Sequence, residues 1–173
     1  MENQLFIACK NNNFELCEIL LKNGVNVNIT NKHNETLAHV LFTIDYPDVN
    51  ILQLLIDNGI DLNTKTIYED TPLHLACSNN KLSEEIIVLL LQHVDLNVRD
   101  IYDDTPLYIA LHVKNYKMVH YLLYCDVYIE DKIIENKEMN NFINDYKLLS
   151  LQYVSEDVLQ SYIGIIMDVS EYI

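Results

Sequence analysis

The side chains able to do acid–base, nucleophilic or metal chemistry are six histidines, four cysteines and 26 carboxylates. A zinc site needs Cys and His in close pairs such as C-x-x-C. Cys9, Cys17, Cys77 and Cys125 make no such pair. His112 and His120 stand eight residues apart, and no Cys or carboxylate completes a metal spacing around them. Each cysteine lies inside an apolar periodic segment, which predicts reduced core thiols rather than disulfides. His39 and His74 fall at the same place in a recurring phrase, which points to a structural duty. The chain has no G-x-x-x-x-G-K-[ST], G-x-G-x-x-G or G-x-S-x-G. Its only glycines, Gly24, Gly59 and Gly164, leave no loop to cradle a phosphate. Neighbouring carboxylates such as Asp103-Asp104 and Glu84-Glu85 read as solvated loop residues. The sequence therefore predicts no catalysis, no metal and no cofactor.

Charge sets the next bound. The formal charge is −15 at pH 7 over 173 residues, and 50% of the residues are hydrophobic. That composition belongs to a folded globular chain. Nucleic acid and anionic membrane surfaces would be repelled, because both are bound through Lys and Arg. A protein partner with a basic surface would be attracted. Met1-Glu2-Asn3-Gln4 lacks the basic start of a secretory signal, and no stretch approaches the ~18 apolar residues of a membrane span. The expectation is a monomer in the cytoplasm, with the nucleus as a further setting. Alanine occurs only at Ala8, Ala38, Ala76 and Ala110, and Arg99 is the sole arginine, while Asn, Ile, Lys and Tyr abound. The abundant four have A/T-rich codons.

The elements that must carry these residues repeat. Ile67-Tyr68-Glu69-Asp70-Thr71-Pro72-Leu73-His74 returns 34 residues later as Ile101-Tyr102-Asp103-Asp104-Thr105-Pro106-Leu107-Tyr108. A worn copy is Asn34-Glu35-Thr36-Leu37-Ala38-His39. A second phrase keeps step with the first. Leu20-Leu21-Lys22-Asn23-Gly24-Val25-Asn26-Val27-Asn28 is followed by Leu55-Ile56-Asp57-Asn58-Gly59-Ile60-Asp61-Leu62-Asn63, then by Leu90-Leu91-Gln92-His93-Val94-Asp95-Leu96-Asn97. Two phrases in fixed order at a period of 33 to 35 signify a repeat architecture.

On these motifs the chain resembles the ankyrin-repeat family, whose units open T-P-L-H-x-A and close L-L-x-x-G-A-D-V-N. Thr71-Pro72-Leu73-His74-Leu75-Ala76 matches the opening completely, and Thr105-Pro106-Leu107-Tyr108-Ile109-Ala110 lacks only the histidine. The resemblance covers about three quarters of the chain and implies an all-α solenoid of helix pairs joined by β-hairpin loops. Its repeats would be 1–30 (without its hairpin half), 31–65, 66–99 and 100–132. The threonine caps a helix start, Pro72 takes the first turn where a missing N–H does no harm, and Gly24 and Gly59 end second helices as left-handed caps. The family's histidine ties the turn to the helix start. One such unit cannot bury its apolar face alone, so the units must stack.

Several positions depart from the pattern. The hairpin glycine is replaced by Asn34, Glu69 and Asp103, of which Glu69 tolerates a left-handed backbone least. Repeat two carries extra residues around Thr43-Ile44-Asp45-Tyr46-Pro47-Asp48, and repeat three a longer loop from Asn79 to Glu84. His93-Val94 and Asp126 stand where the closing glycine would be, and Glu130 where the asparagine would be. Residues 133–173 leave the pattern altogether. Met139, Phe142, Ile143, Tyr146 and Leu149 keep helical spacing, as do Val158, Leu159, Tyr162, Ile163, Ile166 and Val169, with a helix start at Ser155. The expectation is a C-terminal helical cap over the last repeat, with an effector tail as the alternative.

The resemblance implies a non-enzymatic protein-binding module that uses hairpin tips and the first helices. Transferred by position, its contact residues are Lys32, His33 and Glu35, then Ile67, Tyr68, Asp70, Ser78 and Asn79. In the fourth repeat they are Ile101, Tyr102, Asp104, His112 and Val113. The Ile-Tyr pairs read either as a contact ridge or as side chains that pack along the hairpin row. The worn repeats and A/T-type composition look like short poxvirus ankyrin proteins. Two functions are open: occlusion of a host signalling factor, as in the inhibitors of NF-κB, or recruitment of a partner to a ubiquitin ligase. Residues 133–173 contain no proline, which disfavours the F-box-like segment of the second.

Overall fold

A computed structural model of the chain describes residues 2–125 and 127–153. The second helix expected at 158–169, its start at Ser155 and the Asp126 cap position lie outside the described residues. The described residues form helices and no strands. The chain divides into two compact units, one reaching to Tyr128 and one starting at Ile129.

In the first unit, the helices come in pairs: α1 (Glu2–Lys10) with α2 (Phe14–Lys22), α3 (Leu37–Phe42) with α4 (Val49–Asp57), α5 (Pro72–Ser78) with α6 (Glu84–Leu91), and α7 (Pro106–His112) with α8 (Tyr116–Tyr124). First helices pack in one row, α1 on α3, α3 on α5 and α5 on α7, and second helices in another, α2 on α4, α4 on α6 and α6 on α8. The core runs between the rows. Leu5, Leu37, Leu41, Leu52, Leu55, Leu73, Ile86 and Leu90 are fully buried, each worth ~1.5–3 kcal/mol of apolar transfer. Ala8, Ala76 and Ala110 are buried without exposure where a larger side chain would force the rows apart.

The ends of the helices explain the signature residues. Gly24 donates to the Leu21 carbonyl and Val25 to that of Leu20, with φ +79° at Gly24; Gly59 and Ile60 repeat this on Ile56 and Leu55. These are Schellman caps, which favour glycine at the left-handed position. Asn12 and Lys114 make the same cap after α1 and α7, at φ 55° and 59°. Pro72 and Pro106 occupy the first turns of α5 and α7. The recurrent Asn28, Asn63 and Asn97 have a duty the sequence reading did not find. Asn28 donates to the Gly59 carbonyl and accepts from the Asp61 N–H. Asn63 spans His93 and Asp95 in the same way, and Asn97 accepts from the Tyr128 N–H. Successive repeats are thus stitched together by one asparagine each.

The hairpins are tight turns closed by two backbone bonds. Thr66 N–H donates to the Asp70 carbonyl and Glu69 N–H to that of Thr66; Asn31/Glu35 and Asp100/Asp104 repeat the pattern. The residue after the two tip residues is left-handed in all three: Asn34 (φ 59°), Glu69 (φ 60°) and Asp103 (φ 63°). This is the type I turn with a following left-handed residue that three-residue hairpin loops use. A left-handed backbone costs a residue with a long side chain ~1–2 kcal/mol, and asparagine less. Glu69→Gly is therefore expected to stabilise the chain by about 1 kcal/mol, and Asn34→Gly by less. Losing the exposed Lys65–Glu69 ion pair (3.1 Å) offsets only a few tenths of that. Urea denaturation measures both; an unchanged or lower midpoint for Glu69→Gly would contradict the strain.

The second unit contains α9 (Asp131–Glu135) and α10 (Lys137–Tyr153), packed on each other. The spacing of Met139, Phe142 and Ile143 does mark a helix. Met139 and Ile143 are buried and Phe142 is half-buried. The short α9 was not foreseen.

Candidate interaction surface

The tip residues are brought together by main-chain bonds. Ile67 N–H donates to the His33 carbonyl and Ile101 N–H to the Tyr68 carbonyl, both at 3.1 Å. Lys32-His33, Ile67-Tyr68 and Ile101-Tyr102 therefore form one row. Side chains brace it from below: Asn34 donates to the Lys65 carbonyl and Lys65 to the Arg99 carbonyl. Within each tip the first residue holds the turn. Asn31 Oδ1 accepts from the His33 and Glu35 N–H groups, Thr66 Oγ1 from Tyr68, and Asp100 Oδ1 from Tyr102 and Asp104.

Both the ridge and the packing expectation bear on the exposure of these tips. The isoleucines build the row through their backbones, while their side chains stay about half exposed, Ile67 at 54% and Ile101 at 47%. Tyr68 is exposed at 53% and Tyr102 at 73%. Two isoleucines and two tyrosines thus stand about half or more exposed on a backbone braced by bonds between hairpins.

A carboxylate from each repeat flanks the row. Glu35, Asp70 and Asp104 are each half-buried. Burial, and then the neighbouring Asp100 carboxylate, hold the Asp70 carboxyl above its usual range.

Beneath the tips sit the two histidines of the recurring phrase. Thr36 N–H donates to His39 Nδ1 at 3.0 Å and Thr71 N–H to His74 Nδ1 at 3.1 Å. With Nδ1 accepting, the ring proton lies on Nε2, which donates to the next hairpin: His39 to the Asp70 carbonyl (3.1 Å), His74 to the Asp104 carbonyl (3.3 Å). Each histidine thus fixes a helix start and the tip of the following repeat. Burial lowers the pKa of both rings below 6.5, partly opposed by the bonds to Asp70 and Asp104. Below about pH 6.5 the unfolded chain binds protons that the folded rings refuse, so this contribution to stability is lost as pH falls. Imidazole nitrogen shifts should show both rings less protonated than a free ring at pH 6.5, with the neutral form's proton on Nε2. Half-protonated rings in the folded chain would contradict the link.

The remaining sequence-predicted residues lie away from the tips, at the far ends of α5 and α7. Ser78 is exposed and donates to the His74 carbonyl. Asn79 has a structural duty: its amide donates to the Phe42 and Ile44 carbonyls, and its oxygen accepts from Lys81 N–H. His112 is exposed and stacks on Tyr108 with ring centroids 6.1 Å apart; Val113 is exposed at 42%. Ser78 and Asn79 line a groove of about 320 Å³ with Phe42 and Leu75. A second groove, of about 480 Å³, is lined by Phe6, Ile7 and Val40 together with Lys10 and Glu35. Sequence reasoning missed Tyr46, which the lengthened loop of repeat two presents at 70% exposure and φ 52°. The Lys81 ammonium, bonded to Asp45, lies 5.7 Å from the Tyr46 ring centre. The extra loop residues were the available signal.

No group of three or more His, Cys, Asp or Glu among the described residues could hold a metal ion. No helix among them is long and apolar enough to cross a membrane.

The family model for ankyrin repeats in three copies matches residues 2–66 and 41–132. A putative ankyrin repeat protein of fowlpox virus (strain NVSL) is 37% identical over 94 residues, 52% of this chain and 27% of that protein. Alpha-latrotoxin-Lg1a of Latrodectus geometricus is 32% identical over 79 residues, 44% of this chain and 6% of the toxin. The chain thus spans about a quarter of the fowlpox relative and a small part of the toxin.

Proposed function

Because the chain belongs to the ankyrin-repeat family, a family of non-enzymatic protein-interaction modules, we propose that it binds another protein along the hairpin row Lys32-His33, Ile67-Tyr68 and Ile101-Tyr102. The observation that carries this reading is the pair of exposed Ile-Tyr tips held outward by bonded main chain. Interfaces are enriched in tyrosine at their energetic centres. The carboxylates Glu35, Asp70 and Asp104 beside the row, and the net charge of −15, select a partner with a basic surface. Ser78, Asn79, His112 and Val113 would extend the contact onto the first helices.

The similarity to a fowlpox virus protein supports a viral origin and a host partner. In this reading the chain is a cytoplasmic monomer that occludes a host signalling factor, as inhibitors of NF-κB do. The alternative is an adaptor that recruits its partner to a host ubiquitin ligase, or a truncated relative of one. Capture from cell lysate followed by mass spectrometry separates them. The occlusion reading expects a signalling or regulatory protein with a basic surface, and recovery of cullin-ligase subunits would overturn it in favour of the adaptor.

A further inference from the structure

Cys9 in α1 and Cys17 in α2 bring their sulfurs to 3.6 Å in the core of the first repeat. Both residues are fully buried, and Cys77 and Cys125 are likewise free thiols. Cys9 and Cys17 are eight residues apart in sequence, joined through the turn at Asn11 to Asn13. A disulfide would bring the two sulfurs from 3.6 Å to ~2.05 Å.

The first repeat is also where a buried thiol can be reached. By register of the second phrase, Leu16 corresponds to Ile51, Ile86 and Met118, which are buried at 0%. Leu16 is 37% exposed and Ile19 54%, because no repeat packs on that side of α2 among the described residues. A repeat packed on one side only, as this one is among the described residues, opens locally more often than one packed on both. Cys77 in α5 sits between neighbours on both sides and has no such route.

We propose that Cys9 and Cys17 form an oxidation site, which low-molecular-weight disulfides convert to an intramolecular disulfide that ties α1 to α2. Cys17 loses its proton to solvent, and its thiolate attacks one sulfur of glutathione disulfide. This forms a mixed disulfide and expels one glutathione thiolate. The Cys9 thiolate, its proton also passed to solvent, then attacks the Cys17 sulfur and expels the second glutathione. Two protein thiols are oxidised and one glutathione disulfide is reduced. The order follows from the hydrogen bond between the sulfurs, which favours the thiolate on Cys17 and holds the Cys9 thiol up.

The test treats the full reduced chain with glutathione disulfide, quenches in acid, alkylates under denaturing conditions and maps the peptides by mass. The expected product has lost two hydrogens, with Cys9 linked to Cys17 and Cys77 alkylated. Hydrogen exchange should then slow in α1 and return to its reduced rate with dithiothreitol. Cys9→Ser should instead trap glutathione on Cys17. Free, alkylated Cys9 and Cys17 in the treated wild-type chain would overturn the proposal, and so would a stable glutathione adduct on either thiol.

Discussion

Replacing His74 with alanine should destabilise the first unit by about 3 kcal/mol and lower its thermal midpoint by roughly 10 °C. Three losses combine. The Thr71 N–H loses its acceptor at the start of α5, a capping loss of ~0.5–2 kcal/mol. The Asp104 carbonyl loses its ring donor but keeps the Asp100 N–H, a net hydrogen-bond loss of ~0.5–1.5 kcal/mol. The imidazole, 1% exposed, leaves a cavity at the base of the row. Because the ring joins two repeats, the damage should spread to the neighbouring tip, seen as faster amide exchange at Ile101 to Asp104. Tyr108, at the matching place in the fourth repeat, is half-buried and stacks on His112, so Tyr108→Ala should cost less. Equal losses at the two positions would show that the histidine links carry no special weight.

The second large effect concerns binding. Tyr68→Ala with Tyr102→Ala should weaken capture of the partner by about 100-fold, or ~2.7 kcal/mol, in line with tyrosine anchors at other interfaces. Stability should hardly change, since both side chains are more than half exposed and the tip bonds are made by backbone. The separation of the two effects is itself informative. His74→Ala acts on the frame that holds the row, and the tyrosine pair acts only on what the row presents. Asp70→Asn with Asp104→Asn should lower the on-rate and flatten its dependence on salt, with a smaller effect on affinity.

Much of this architecture was legible because repetition makes each residue its own control. The phrase ending in His74 could be read as structural since His39 stands in the same place, and both rings do join a helix start to the next hairpin. The left-handed positions at Asn34, Glu69 and Asp103 followed from where a glycine would sit. What stayed hidden depends on partners from other repeats. Asn28, Asn63 and Asn97 look like ordinary loop residues until the segment after the next repeat's second helix arrives at their side chains. Asn79 reads as an exposed contact until its amide is found on the Phe42 and Ile44 carbonyls. The half exposure of Ile67 and Ile101 could not be read from their type, because it depends on the main-chain bonds that set one hairpin beside the next. The Cys9–Cys17 contact was equally hidden, since spacing gives only the helix turn and not the rotation of one helix against another.

The central claim is that a protein partner seats on the hairpin row. The most direct measurement places a photo-crosslinking benzoylphenylalanine at Tyr102, and separately at Gln53 on the exposed side of α4, then irradiates each chain with the captured partner. The row as a binding surface predicts a covalent adduct from position 102 and none from position 53. An adduct from position 53 with none from position 102 would contradict it.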